Sequence, residues 1–204
     1  MSKSMPFRKT WYEPLAEDLG ETQAKDLLSI TQNRYDKLYA ERTEPPHRAL
    51  NQHLDDNILP GLALYQVLRE QGWEEDKALE AIEHLFATNL LKRRRMLEWI
   101  GRTPVYFSIL RRLTPRLLDK SFPSEGWEIE WVKVSSDVVA FNMHSCFYLD
   151  TLSAYGAPEL TPVFCRLDDV MYENLSTCAS WERTKTLGFG DNCCNFCFRR
   201  QTRR

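Results

Sequence analysis

Residues 192–200 read NCCNFCFRR and place three cysteines within five positions. Such a stretch can be a metal clasp, a redox pair, a nucleophile or a strand. A CxxC clasp needs a tight turn that aims both sulfurs at one ion, whereas residues three apart on a strand point to opposite faces. Cys194, Phe196 and Phe198 alternate with smaller or more polar neighbours. This alternation predicts the closing strand of a sheet.

The composition is that of an ordinary globular protein. Hydrophobic residues make up 43% of the chain and the net charge is −2. This composition excludes an intrinsically disordered protein, and the overall charge lacks the excess of basic residues that is typical of nucleic-acid-binding proteins. No apolar run approaches the ~20 residues of a membrane span, and none follows the basic opening residues. We therefore expect a cytoplasmic protein with reduced cysteines, without a membrane span or a nucleic-acid partner.

Helical periodicity dominates the first 120 residues. A helix over 26–41 should end before Pro45-Pro46, since proline cannot continue a helix. A second helix should start at a cap formed by Asp56 or Asn57 and end at Gly72. A long third helix should follow, with acids early and bases late.

The domain prediction follows from these patterns. We expect an N-terminal helical arm over 1–50 and an α+β domain over 51–204. Within that domain, 55–120 should be helical, and 125–200 should hold the sheet and its helices.

Basic residues crowd the stretch 92–116, where aromatic side chains are interleaved. This pattern fits either nucleic acid or an anionic membrane surface. A solvated helix face, with arginines for an acidic patch or a substrate carboxylate, is favoured because the overall charge is balanced.

After residue 123 the period changes from helical to alternating. The segments GWEIEWVKV (126–134) and VVAFNMHSC (138–146) predict two antiparallel strands. Two helices should follow, over 147–156 and 158–174, and then a final strand pair. The predicted fold class is α+β, with an N-terminal helical segment followed by a β-β-α-α-β-β half whose antiparallel sheet is packed by helices.

Two groups of side chains could carry chemistry. His144 and Cys146 are two apart on the second predicted strand and would share a face, where a thiol beside an imidazole can act as a nucleophile or metal ligand. The alternative is a buried small cysteine near a solvated histidine. The second group lies along one side of a helix and can supply a general base, a metal carboxylate or hydrogen bonds to an amino group, or be a plain polar face: Cys165, Asp168, Asp169 and Tyr172.

Seven separated motifs occur along the chain in a fixed order. They are ILPGLALY (58–65), GW (126–127), CFY (146–148), GAPEL (156–160), FCRLD (164–168), WERTKTL (181–187) and CCNF (193–196). Together these motifs resemble the L-2-amino-thiazoline-4-carboxylic acid hydrolase family, and the similarity spans roughly residues 50 to 200.

The resemblance implies hydrolytic opening of a small cyclic amidine, such as L-2-amino-thiazoline-4-carboxylate, to a carbamoyl-cysteine at a non-peptide carbon–nitrogen bond. A divalent cation is left open as cofactor, and a homo-oligomer as assembly. The catalytic roles expected are nucleophile or metal-held thiolate for Cys146 or Cys165, general base for Asp168 and proton shuttle for His144. The substrate-binding roles expected are carboxylate clamp for Arg183, pocket or ligand thiol for Cys194, and further contacts for Asp169 and Tyr172.

One position departs from the family pattern. The last strand of the family usually reads Cys-Asp-Phe, and here Asn195 takes the middle place. If the family's acid takes part in catalysis or holds a cation, we expect this protein to have an altered activity or none. If the acid only caps a turn, Asn195 should change the activity little. A non-catalytic small-molecule binding module, similar in layout to the 4-vinyl reductase type of domain, is the alternative function.

Overall fold

The computed structural model describes residues 4–174 and 176–201, and for Lys92 and Met96 only the backbone. The chain divides into two compact units, Met1–Asn89 and Leu90–Arg204, and the division falls inside a long helix. The boundary expected at residue 50 concerns independent folding and stays a prediction.

Helices build the first unit. They are α1 (Arg8–Leu19), α2 (Glu21–Glu41), α3 (Arg48–His53), α4 (Leu59–Glu70) and α5 (Glu75–Gly101), the last of which continues into the second unit. Helix α2 ends ahead of Pro45-Pro46, as predicted from the missing proline N–H. Gly72 follows α4 with φ at 85°, the left-handed backbone that glycine adopts without steric cost.

The predicted start of α4 is wrong. Asp56 and Asn57 do not cap a helix, because both lie in a π-helical turn, Leu54–Ile58, that joins α3 to α4 without a break. Tyr35 donates its hydroxyl to the Asp55 carbonyl at 3.2 Å, and Arg42 pairs with the Asp55 carboxylate at 2.7 Å. These contacts hold the wide turn from the side of α2.

The second unit contains a four-stranded antiparallel sheet. Its elements are α6 (Tyr106–Ser121), β1 (Ile129–Val134), β2 (Val138–Met143), α7 (Phe147–Ala154), α8 (Thr161–Tyr172), β3 (Ala179–Glu182) and β4 (Cys194–Arg200). The strand order is β1-β2-β4-β3, so β4, the last strand along the chain, lies inside the sheet and not at its edge. The predicted β-β-α-α-β-β order and the α+β class are confirmed.

Strand β4 confirms the interpretation of the cysteine-rich stretch. Cys194, Phe196 and Phe198 are buried, whereas the residues between them are only partly covered. Phe196 pairs with Phe141 of β2, and their rings stack with centroids 4.9 Å apart. The side chains on this face of β4 pack in the core, as expected for a strand and not for a CxxC metal site.

Helix α8 covers this packed face of the sheet. The Tyr172 ring lies 5.5 Å from that of Phe198 and 5.9 Å from that of Trp181. Helix α7 meets α8 through Tyr148 and Phe164, whose ring centroids are 5.0 Å apart. Within the described ranges, no helix is long and apolar enough to cross a membrane.

Candidate functional site

A buried guanidinium organises the space between α8 and the sheet. Arg183 follows β3, and its side chain is 3% exposed. It donates to Asp168 Oδ2 at 2.9 Å, to Asp169 Oδ2 at 3.1 Å and to the Cys165 carbonyl oxygen at 2.9 Å. A buried charge is tolerated when it is paired and hydrogen-bonded, and the two acids of α8 supply that pairing. The clamp role expected for Arg183 stays a prediction, because these donors here hold the protein's own acids.

Asp168 has a raised pKa. Burial raises the pKa of Asp168 from 3.8 to about 6, Arg183 opposes this rise, and Asp169 adds to it. The side chain keeps 40% of its surface exposed, so water screens part of the effect of burial. Tyr172 lies nearby, and burial together with Asp168 raises the pKa of its hydroxyl. A carboxyl with a pKa near 6 can both accept and return a proton near neutral pH.

Two thiols, those of Cys165 and Cys194, lie near the Asp168 carboxylate, and a third, that of Cys146, lies near both of them. Cys165 belongs to α8, Cys146 immediately precedes α7, and Cys194 begins β4. Burial, and after it the proximity of Cys146 and Cys194, raise the pKa of Cys165 to about 12. We call the three cysteines, the two acids and Arg183 the thiol–carboxylate cluster.

The thiols of this cluster are protonated at neutral pH. Burial raises the pKa of Cys194 to about 11, although the Leu187 backbone N–H donates to its sulfur at 3.2 Å. Burial also raises the pKa of Cys146, against the opposing effect of the Leu149 and Tyr148 N–H groups at the start of α7. None of the three is a resting thiolate, since a nucleophilic cysteine needs a lowered pKa.

A glycine turn closes the cluster on one side. The 3-10 turn Leu187–Phe189 places Gly188 against α8, where a Cβ would lie 2.7 Å from Cys165 Sγ and 3.1 Å from Thr161 Cγ2. Only a residue without a side chain permits this approach. Sequence reasoning missed Gly188, whose sole signal was its place in the motif TLGFG.

Two polar atoms next to the cluster are buried without a partner among the described residues. They are Thr161 Oγ1, one turn before Cys165, and Trp181 Nε1, two residues before Arg183. Thr161 has no exposed surface at all. Buried polar groups are nearly always hydrogen-bonded, so each of these two atoms departs from the usual pattern of a protein interior. The sequence carried no signal for either atom.

His144 is not paired with Cys146 as expected. Strand β2 ends at Met143, so the two residues do not share a strand face. His144 Nε2 instead lies 2.9 Å from Glu130 Oε2, and the same oxygen accepts from Asn142 at 3.1 Å. Its role as a proton shuttle stays a prediction without support from these contacts.

Asn195 has the geometry of a cap. Its Oδ1 accepts from the backbone N–H of Thr184 at 2.9 Å and of Lys185 at 2.6 Å, and its Nδ2 donates to Thr184 Oγ1 at 2.9 Å. These bonds fix the segment between β3 and the glycine turn. Aspartate could accept the same two N–H groups, so the exchange of acid for amide keeps the capping function.

The described side chains do not by themselves form a complete cation site. No group of three His, Cys, Asp or Glu among the described residues is arranged to hold a metal ion, and Arg183 occupies the position between the Asp168 and Asp169 carboxylates. Because hard cations such as Mg²⁺ can be held by one or two carboxylates with water, the divalent cation stays a prediction.

Comparison with solved structures gives weak similarity over nearly the whole chain. The structure titled "Crystal structure of Fe(II) unliganded H-NOX protein from K. algicida" has 11% identity and a TM-score of 0.38, with 97% of this chain and 96% of that chain covered. A second, titled "Probing the function of heme distortion in the H-NOX family", has 12% identity and a TM-score of 0.36, with 96% and 94% covered. Scores this low do not establish a shared fold, and we draw nothing from them.

Comparison with family profiles gives a specific result. Curated proteins offer no match to the sequence. The profile described as L-2-amino-thiazoline-4-carboxylic acid hydrolase matches residues 51–198. This range includes every member of the thiol–carboxylate cluster and most of the chain. The protein therefore belongs to the L-2-amino-thiazoline-4-carboxylic acid hydrolase family.

Proposed function

We propose that this protein hydrolyses a small cyclic amidine, such as L-2-amino-thiazoline-4-carboxylate, to a carbamoyl-cysteine. Family membership supports the reaction class. The observation that carries the proposal to named residues is the Asp168 carboxyl, whose pKa is raised to about 6 and which lies beside a buried guanidinium and near the Cys165 and Cys194 thiols. A carboxyl whose pKa is raised toward neutrality by burial, with a specific charged partner, is typical of acid–base sites.

The first step is addition of water to the amidine carbon between sulfur and nitrogen. Ionised Asp168 removes a proton from the attacking water, whose oxygen forms the new bond to that carbon. The amidine π electrons move to nitrogen, and Arg183 stabilises the Asp168 carboxylate before the proton is taken. We assign the binding of the ring's amino group to Asp169 and Tyr172, which follow Asp168 on α8.

The second step breaks the ring. Protonated Asp168 returns its proton to the ring nitrogen. As the carbon–nitrogen bond breaks, the hydroxyl added from water becomes the carbonyl, and its remaining proton passes through Asp168 to the departing nitrogen, which leaves as the amine. The product is then S-carbamoyl-cysteine with a free amine. Cleavage of the carbon–sulfur bond would instead release a free thiol and leave N-carbamoyl-cysteine, so the two routes differ in a measurable group.

The thiols serve this reaction in their neutral form. A protonated Cys146 or Cys165 can donate a weak hydrogen bond or a proton to a leaving group. Cys194 lines the same space, with its sulfur fixed by the Leu187 N–H. A covalent route through cysteine would require ligand binding to lower the thiol pKa first.

A non-catalytic binding module remains the second candidate. The raised pKa of the thiols favours it, because no thiolate stands ready to attack. The orphaned atoms of Thr161 and Trp181 would serve a bound ligand equally well whether or not the ligand reacts.

The test is turnover of L-2-amino-thiazoline-4-carboxylate by purified, reduced protein. Product is identified by mass spectrometry, with separate assays for released thiol and released amine. Cys146→Ser, Cys165→Ser and Asp168→Asn are compared with Cys197→Ser, a control on the opposite face of β4. Loss of turnover in Asp168→Asn but not in the control supports the proposal. Thermal stabilisation by the compound without any product would replace it with the binding module.

A further inference from the structure

Helix α6 presents a row of apolar side chains to solvent. Four residues spaced by four, one ahead of the helix and three within it, are exposed by 41 to 56%: Val105, Ile109, Leu113 and Leu117. Residues at this spacing lie above one another on a helix and form a continuous stripe. The buried side of α6 is formed by other residues, Tyr106, Phe107 and Leu118. The stripe is therefore additional to what the core requires.

A row of basic side chains runs beside the apolar stripe. Arg112, Arg116 and Lys120 each follow a stripe residue by three positions, which makes the two rows neighbours on the helix surface. All three are exposed, and no ion pair joins them to a carboxylate within the described part of the chain. An apolar stripe bordered by unpaired cations is the pattern of a helix that lies in a lipid interface.

We propose that α6 docks on an anionic lipid surface. The apolar stripe enters the boundary between headgroups and acyl chains, and the basic row contacts lipid phosphates. Burial of the stripe supplies the hydrophobic part of the binding, and the cations supply attraction to the negative leaflet, which salt screens. The helix axis lies along the membrane plane and crosses nothing.

Charge favours a lipid surface over a second copy of the chain. The only acid on α6 is Asp119, and it lies beyond the basic row on the side away from the stripe. The row on the other flank of the stripe holds Tyr106, Leu110, Thr114 and Leu118 and offers no carboxylate. A second α6 packed against the stripe would thus bring cations without counter-charges, whereas lipid phosphates supply them.

The test is cosedimentation of the full chain with vesicles. Vesicles of phosphatidylcholine alone are compared with vesicles of phosphatidylcholine and phosphatidylglycerol in equal parts, at low and high sodium chloride. Two double variants address the two rows, Ile109→Gln with Leu113→Gln, and Arg112→Gln with Arg116→Gln. The matched control is Ile30→Gln with Lys37→Gln, an exposed apolar and basic pair on α2.

We expect binding to the anionic vesicles that added salt releases. The arginine variant should bind about thirtyfold more weakly, and the apolar variant at least about tenfold more weakly. The control should bind like the unaltered chain. The proposal is overturned by equal binding to both vesicle types, by no binding at all, or by variants that bind like the control. It is equally overturned if sedimentation velocity shows a dimer that the apolar variant dissociates, since a second copy then occupies the stripe.

Discussion

At the scale of single residues, Asp168 determines how the activity should respond to pH. Because its pKa is raised to about 6, the carboxylate that accepts a proton is depleted below that value and complete above it. We expect kcat to rise as pH increases through about 6 and then to level off. Asp168→Asn should lower kcat by about 10²–10⁴-fold and abolish this rise.

The matched control for Asp168 is its neighbour on the helix. Asp169→Asn removes the other partner of Arg183 but leaves the expected base in place. Measuring kcat of both variants from pH 5 to about 8 shows which of the two carboxylates is responsible for the rise. A pH profile that keeps its rise in Asp168→Asn would show that another group is the base.

Replacing Thr161 should affect the stability of the protein and its substrate binding in different ways. Its hydroxyl is fully buried without a partner, so Thr161→Val removes an unsatisfied group while keeping the shape. We expect the free energy of unfolding to stay equal or increase. If the hydroxyl binds substrate, KM should rise in the same variant. Chemical denaturation and steady-state kinetics measure the two, and an unchanged KM would assign Thr161 to the protein interior alone.

At the scale of elements, the glycine turn decides how closely α8 approaches the loop after β3. Gly188→Ala places a methyl group 2.7 Å from Cys165 Sγ, so the turn or the sulfur must shift. We expect a loss of about 1–3 kcal/mol in the free energy of unfolding. Adding Cys165→Ala should recover part of that loss, giving a coupling above about 0.5 kcal/mol in a double-mutant cycle. Strict additivity would mean that the contact with Cys165 is not the cause.

The connection between β3 and the glycine turn depends on Asn195. Asn195→Ala removes the acceptor of the Thr184 and Lys185 N–H groups. Because these hydrogen bonds are exposed and water can replace the acceptor, the change should cost about 0.5–1.5 kcal/mol of stability. Asn195→Asp keeps the acceptor, and the Thr184 hydroxyl can donate in place of the lost amide donor. We expect stability and turnover close to those of the unaltered chain. A large gain in turnover on restoring the acid would show that the family acid is catalytic.

At the scale of the whole molecule, local patterns were sufficient for the order of the strands along the chain and insufficient for the cluster. The alternation around Phe196 predicts β4, because side chains on a strand alternate whatever packs on them. Cys146, Cys165 and Cys194 come from three elements, and no spacing in the sequence says that their thiols meet. The His144–Cys146 pair failed for a related reason, since the point where β2 ends depends on how α7 begins.

The start of α4 shows a further limit of sequence reasoning. Asp56 and Asn57 are good capping residues, yet they lie within a continuous helical run because Arg42 and Tyr35 of a distant segment hold the π turn. Arg183 was likewise expected to bind substrate, but its bonds to Asp168 and Asp169 were not predicted. Its bonds to Asp168 and Asp169 arise from the packing of α8 on the sheet, which is a tertiary property.

The contacts of α4 allow a test of whether residues 51–204 fold without the N-terminal arm. Nine residues of α4 are buried, and α2 reaches it through Arg34, which pairs with Glu70 at 2.7 Å and donates to Gln66 at 3.0 Å. Removing 1–50 would expose this apolar helix and leave Asp55 without Arg42. We expect the fragment 51–204 to melt less cooperatively than the full chain by circular dichroism and to bind a hydrophobic dye. A fragment with the same sharp transition would instead support the boundary at residue 50, because an arm that can be removed at no cost is not part of the domain core.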